Sequence, residues 1–247
     1  MRERLIPALR FRTLTRFYDP LMATVLRESA WKPQLVDQVD VRDGMEVLDL
    51  GCGTGTLTLL LAQAVPTAHV VGVDPDPDTL ERARRKAEES GVTIELVEAS
   101  AGLLPFPDAS FDRVVSSLVF HHLTLAGKRT ALGEARRVLR ADGELHIADW
   151  GRPHDALMRA AFLPVQLLDG FETTSDNVHG VLPALIDAAE FEHVQETHRR
   201  RTVFGTLSFI RARRGSPLPG SESSFTPSSR DAGNLASEPE RRASHDD

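Results

Sequence analysis

The densest chemistry in the chain is a glycine run flanked by an acid, Val47-Leu48-Asp49-Leu50-Gly51-Cys52-Gly53-Thr54-Gly55-Thr56-Leu57. Glycines between a strand and a helix permit a tight turn and close approach of backbone to a ligand. The open N–H groups of the helix start can then meet that ligand. Three ligand classes compete for such a loop. A dinucleotide fingerprint, G-x-G-x-x-G, wants its third glycine at position 56, which is Thr here. A P-loop wants Gly-Lys-Ser/Thr, and no lysine occurs between Met45 and Arg82. The third class is a nucleoside without phosphates. Asp49 favours it, because a carboxylate repels pyrophosphate and welcomes an ammonium group.

Asp74 closes the next apolar run, in Val73-Asp74-Pro75-Asp76. An acid at that strand tip lies beside the glycine loop and can accept both ribose hydroxyls. Asp76 or Asp78 suits the competing task of capping the following helix, which leaves Asp74 for a sugar. NAD enzymes share this acid, so the glycine spacing has to discriminate. Adjacent imidazoles at His121 and His122 can be neutral at physiological pH and able to take a proton. Neither has a His or Cys partner at metal spacing, so the expectation is no bound metal. Cys52 is the one cysteine, which excludes a disulfide framework and any multi-cysteine cluster within the chain. It reads as packed rather than reactive.

These groups must be carried by alternating strands and helices. Strand-length runs fall at 46–50, 69–73, 93–97, 111–117 and 144–148. Leu57, Leu60, Leu61 and Ala64 hold helical spacing, as do 78–90, ending at Gly91, and about 127–140 before the turn signal Ala141-Asp142-Gly143. That alternation implies a parallel sheet with helices on both faces, an α/β doubly wound architecture. A helix with Leu182, Leu185, Ile186 and Ala189 then precedes two alternating stretches, about 192–198 and 202–211. Only a short basic stretch separates them, so an antiparallel edge is expected.

The 247 residues suit one domain with appendages, with 41% apolar and 26% charged residues, near globular averages. A net charge of -7 argues against a nucleic-acid binder that neutralises many phosphates. No run approaches the roughly 18 apolar residues of a membrane span. Arg2, Arg4, Arg10, Arg12 and Arg16 among Leu5, Ile6, Leu9 and Leu14 resemble a mitochondrial-type presequence more than a secretory signal, but a cytoplasmic protein is the favoured reading. The expected organisation is a helical cap over 1–40, the main domain over 41–213, and a disordered Ser/Pro/Gly-rich tail over 214–247.

Four segments in order, VLDLGCGTG at 47–55, GVDPDPDTLERAR at 72–84, LPFPDASFDRVVSSLVFHHL at 104–123 and LRADGELHIADWG at 139–151, carry a family resemblance. The chain resembles the class I, Rossmann-like S-adenosylmethionine-dependent methyltransferases, notably the ubiquinone/menaquinone-type branch that methylates small molecules. The resemblance implies a seven-stranded sheet of order 3-2-1-4-5-7-6 with strand 7 antiparallel. It implies that Asp49 and the backbone of Gly51, Cys52, Gly53, Thr54 and Gly55 hold the methionine part of S-adenosylmethionine. Asp74 would take the ribose, with Pro75 beside the adenosine and Ser117 near the methionine end. Ser100 and Ala101 stand where many relatives have an Asp on the adenine amino group. Serine there loses a charge-assisted increment of roughly 1 kcal/mol.

On the acceptor side the resemblance places His121 and His122, with Asp149 at the tip of the fifth strand. His122 is the first choice for a general base, ahead of His121 and Asp149. Phe11, Phe17, Tyr18, Trp31, Trp150, Phe162, Leu163 and Phe171 offer apolar lining for a small organic acceptor, and Pro164 to Gly180 reads as a lid. The arginine-rich start leaves a less favoured contact with a membrane surface in view. Two other functions are weighed beside methyl transfer: an NAD-dependent oxidoreductase, and a non-catalytic module that keeps the cofactor pocket.

Overall fold

A computed structural model describes residues 28–215. The cap is therefore described only from residue 28. The terminal arginines, Phe11, Phe17, Tyr18 and all but the first two residues of the proposed tail lie outside the described residues.

The chain runs α1 (Glu28–Val39), β1 (Glu46–Leu50), α2 (Thr56–Ala64), β2 (His69–Asp74), α3 (Pro77–Ser90), β3 (Glu95–Glu98) and β4 (Phe111–Ser117). A short 3-10 turn (Phe120–His122) leads to α4 (Leu125–Val138) and β5 (Leu139–Trp150). Three short helices follow, α5 (Ala156–Ala161), α6 (Leu163–Asp169) and α7 (Phe171–Val178), then α8 (Leu182–Ala188), β6 (Glu192–Thr202) and β7 (Gly205–Arg213). The seven strands pair in the order β3-β2-β1-β4-β5-β7-β6. β7 runs antiparallel to both β5 and β6; the hairpin turn is Val203-Phe204, and the basic stretch 199–201, expected as the connection, is paired inside β6.

Alternation along the strands sorts the core into two layers. Leu48, Leu50, Val71, Val73, Val114, Leu145 and Ile147 face α4 and α8 on one side. Val47, Val70, Val115, Ala148 and Phe209 face Trp31, Leu35 and Val39 of α1 and Leu57 and Leu61 of α2 on the other. Burial on both faces is why the parallel strands read as continuous apolar runs. Trp31 sits in this second layer, edge-on to Phe209 at 6.2 Å and 1% exposed, so it is core and not acceptor lining.

Several boundaries moved. β3 begins at Glu95 rather than Thr93, and α4 starts at Leu125, where the Thr124 hydroxyl caps it by accepting from the Gly127 N–H. The turn signal at 141–143 lies inside β5, at the register shift between Phe111 and Arg113. A Cβ at Gly143 would meet the Arg140 backbone oxygen at 2.9 Å, so the bend there needs glycine.

Candidate functional site

Asp49, the 51–55 loop, Asp74, Ser117, His121, His122 and Asp149 lie at one end of the sheet, at or just past the carboxyl ends of β1, β2, β4 and β5. Between β1 and β4 the strand order reverses, and such a switch point opens a crevice where α/β proteins bind ligands.

The glycine loop is held against β2 by Gly51 and Cys52, whose N–H groups both donate to the Val73 carbonyl, at 2.8 and 2.9 Å. Gly51, Gly53 and Gly55 all have positive φ, which a side chain at these positions would strain. Their surroundings differ. A Cβ on Gly51 would collide with Val119 Cγ2 at 2.4 Å, and one on Gly55 would meet Ala83 Cβ at 2.9 Å. At Gly53 a Cβ would meet nothing within 4 Å, so this is the glycine that faces open space. The Thr54 hydroxyl accepts from Lys86 Nζ on α3 at 3.1 Å, which leaves its backbone as the part offered to a ligand.

Asp49 is fully buried. Its Oδ2 accepts from the Thr58 hydroxyl at 2.7 Å, while Oδ1 has no hydrogen-bond partner. Burial pushes its carboxyl up to about 6, against the pull of Thr58 and the Lys32 ammonium. An orphaned buried acceptor beside a glycine loop is the donor-seeking site that an ammonium-bearing ligand fits.

Asp74 uses both oxygens locally. Oδ2 accepts from the Gly53 N–H and Oδ1 from the Asp76 N–H, each at 3.0 Å. Every carboxylate oxygen has a second lone pair, so two hydroxyl donors can still be received. The helix cap is Asp76, whose Oδ1 accepts from the Asp78 N–H at 2.9 Å. Pro75 and Ser117 are half-buried beside these groups at the ends of β2 and β4, and Ser100 and Ala101 follow β3. Ser100 bridges to Leu103 in a small turn. Cys52 is buried, and desolvation raises its thiol so far that it stays protonated, in keeping with a packing role.

The far half of the crevice begins where Leu118 takes φ +57, an unusual conformation for leucine that swings the chain off β4. His121 and His122 follow. His121 is 3% exposed. Its Nδ1 lies 2.8 Å from Asp149 Oδ1, and its backbone N–H donates to Asp149 Oδ2 at 3.3 Å. Burial alone would push the Asp149 carboxyl up, but His121 reverses this and the net shift is downward. The two imidazoles lie 3.9 Å apart between centroids with their planes tilted by 41°, and burial together with His121 holds His122 down to about 3.

Sequence reasoning missed three members of this cluster. Asp169, at the end of α6, lies 3.7 Å from His121 Nε2 and 4.0 Å from His122 Nδ1. Asn177 of α7 donates to the Trp150 carbonyl at 2.9 Å and approaches Asp149 Oδ1 at 3.4 Å. Lys128 of α4 donates to the Thr173 carbonyl at 2.7 Å and pairs with Asp176 at 3.3 Å, tying α7 in place. Trp150, Phe162 and Val165 form a separate apolar cluster next to His121, whereas Leu163 and Phe171 turn outward, 42% and 49% exposed.

Residues 47–143 match a family model described as a methyltransferase domain. The demethylmenaquinone methyltransferase of Thermus thermophilus is 41% identical over 123 residues, covering 50% of this chain and 55% of that protein. A ubiquinone/menaquinone biosynthesis C-methyltransferase, UbiE, of Hahella chejuensis is 37% identical over 135 residues, 53% of each. The chain thus spans about half the length of these relatives. An Aquifex aeolicus crystal structure described as a SAM dependent methyltransferase superposes with a TM-score of 0.59 at 18% identity, covering 81% of this chain and 96% of that one, a likeness of fold.

Proposed function

We propose, for a chain that belongs to the class I S-adenosylmethionine-dependent methyltransferases of the ubiquinone/menaquinone type, that it methylates a small organic acceptor with an apolar part. The observation that carries this reading is Asp49 Oδ1, a buried acceptor without a donor beside a glycine whose outer face is open. When bound, S-adenosylmethionine supplies a methyl group on a positive sulfonium, already activated for in-line displacement by a nucleophile.

The chain's own contribution is position and exclusion of water. Asp49 and the 51–55 backbone would hold the amino-acid end, Asp74 the ribose, and Pro75, Ser100 and Ala101 the nucleoside. Ser117 would border the methionine end. Well-oriented partners gain roughly 7–11 kcal/mol toward the barrier in this way. Where the acceptor must lose a proton, the base would come from His121 oriented by Asp149; His122, the more exposed of the two, is held down to about 3 and is the weaker proton acceptor. A base adds about 10²–10⁴ in rate. A lid formed by 164–180 would cover the acceptor's apolar part, with Trp150 and Phe162 packed as core beneath it. An acceptor of quinone-like chemistry suits the relatives' names. Among the described residues no helix is long and apolar enough to cross a membrane.

Calorimetry on the full chain decides between this reading and its rivals. S-adenosylhomocysteine should bind and NADH should not; the reverse would establish an oxidoreductase. Isotope-labelled cofactor incubated with a small-molecule extract, followed by mass spectrometry, should reveal a methylated product. Binding without any product would leave a non-catalytic module.

A further inference from the structure

The cluster of His121, His122, Asp149 and Asp169 holds more acceptors than donors. Asp169 Oδ1 and Asn177 Oδ1 are buried with no hydrogen-bond partner. The Asp169 side chain is only 5% exposed. Its approaches to the imidazoles, 3.7 and 4.0 Å, are too long to count as hydrogen bonds. Lys128, the ammonium tied to α7, is engaged with Thr173 and Asp176. Asp149 is satisfied by His121, whereas the Asp169 carboxylate faces both imidazoles with its contacts to them unmade.

A proton on His121 Nε2 does not resolve this. It would face Asp169 across 3.7 Å and leave both His122 Nδ1 and Asp169 Oδ1 unpaired. One cation among them serves all three. His121 Nδ1 is spoken for by Asp149, so Nε2 is the nitrogen that carries the free lone pair toward Asp169. A carboxylate behind a histidine is the arrangement that fixes a metal-ligating imidazole.

We propose that His121 Nε2, His122 Nδ1 and the Asp169 carboxylate form a binding site for a divalent first-row transition metal ion, with Asp149 positioning His121. The donor atoms lie within 4.8 Å of one another. Ligands about 2.0–2.2 Å from one ion sit roughly 3–3.5 Å apart, so the set closes by roughly 1 Å on loading. Two imidazoles and one carboxylate suit zinc or iron(II) better than the all-oxygen shells of calcium or magnesium. The exposed edge of His122 offers a way in, and positions left open would face the acceptor mouth. In the loaded protein the facing lone pairs are ligands. An acceptor oxygen would then be activated by coordination rather than by proton transfer to an imidazole. Spacing along the sequence could not show this site, because Asp169 arrives from a distant helix.

The test uses the full chain stripped of metal with chelator and titrated with ZnCl2 by calorimetry and with CoCl2 by visible absorption. One equivalent should bind with micromolar or tighter affinity. Long-range 1H–15N spectra should show the His121 and His122 rings shifting on zinc addition. Asp169→Asn and His122→Ala should each weaken binding at least tenfold, and Asp149→Asn by about 10–100-fold. Binding weaker than about 1 mM, ring shifts confined to other histidines, or wild-type affinity in Asp169→Asn and His122→Ala would each overturn the proposal. The ring shifts need no variant, so they decide the matter if a substitution unfolds the chain. S-adenosylhomocysteine affinity, measured in parallel, stands or falls separately from zinc binding.

Discussion

At the scale of single residues, the two acids beside the glycine loop differ in their surroundings, and their burial separates them. Asp49 is fully enclosed, and its carboxyl is raised to about 6 by desolvation. The folded state thus holds a proton at Asp49 more tightly than the unfolded chain does. This acid's contribution to stability falls as pH rises from about 4 to about 6, leaving a cost of roughly 2–3 kcal/mol at neutral pH. Asp49→Asn relieves that cost. The ligand-free variant should melt higher than the parent at pH 7.5, while S-adenosylhomocysteine binds at least tenfold more weakly. In the parent, affinity should decline as pH drops below about 6, because the ammonium then meets a neutral acid; the variant should show no such decline. Calorimetry between pH 5 and 8 checks both, and a parallel decline in the variant would remove Asp49 from the amine. Asp74 is only partly buried and already receives two backbone N–H groups. Asp74→Ala should weaken S-adenosylhomocysteine by about 1.5–3 kcal/mol. Both acids were legible in the sequence because each stands at a strand tip next to the glycine run, where position alone assigns a neighbourhood.

At the scale of elements, the parallel strands were readable and the short helices were not. β1, β2 and β4 are buried on both faces, so their apolar runs announce them. In α6 and α7 the usual pattern is inverted. Leu163, Leu167, Leu168 and Phe171 are exposed, whereas Gln166, Thr173, Thr174 and Asn177 are buried. The inward face is polar because it meets Asp149, the Trp150 carbonyl and the end of the Lys128 side chain. Reading apolar spacing there selects the wrong face, which is why Asp169 and Asn177 escaped notice and why Leu163 and Phe171 were expected to line a pocket. The strut that holds this segment is Lys128, wholly buried and reaching from α4 to α7. Lys128→Met keeps much of the apolar stem but loses the bond to Thr173 and the pair with Asp176. Hydrogen exchange of amides in 163–180 should accelerate at least tenfold while β1, β4 and β5 keep their protection. Equal acceleration in the central strands would mean that the lysine supports the whole fold rather than this flap.

At the scale of the whole molecule, the crevice lies at one end of the sheet and a charge staple at the other. Glu144, where β5 begins to pair with β7, has a side chain only 7% exposed. It accepts two bonds from Arg211, at 2.6 and 3.1 Å, and one from Arg213 at 3.3 Å, with Arg113 of β4 at 3.8 Å and His146 at 3.3 Å. One carboxylate therefore links β4, β5 and β7, the strands on which the order turns from parallel to antiparallel. His146 and the arginines hold its carboxyl far below the ordinary range, although burial opposes them. A depressed acid contributes stability that is fully present above the unfolded value, about 4.3, and is lost as pH falls toward the folded one. Arg211 and Arg213 are half in solvent, which reduces the effect below that of a fully buried pair. Glu144→Gln should cost roughly 2–4 kcal/mol at pH 7. For a body of this size that is a melting temperature lower by about 5–12 °C. The gap between parent and variant should narrow steadily from pH 4.5 to pH 3, because only the parent has a charge to lose. S-adenosylhomocysteine affinity at 25 °C should hold in the variant, since the staple and the crevice occupy opposite ends of the same strands. A gap independent of pH would show that Glu144 acts through shape and hydrogen bonding, with its charge irrelevant to the fold.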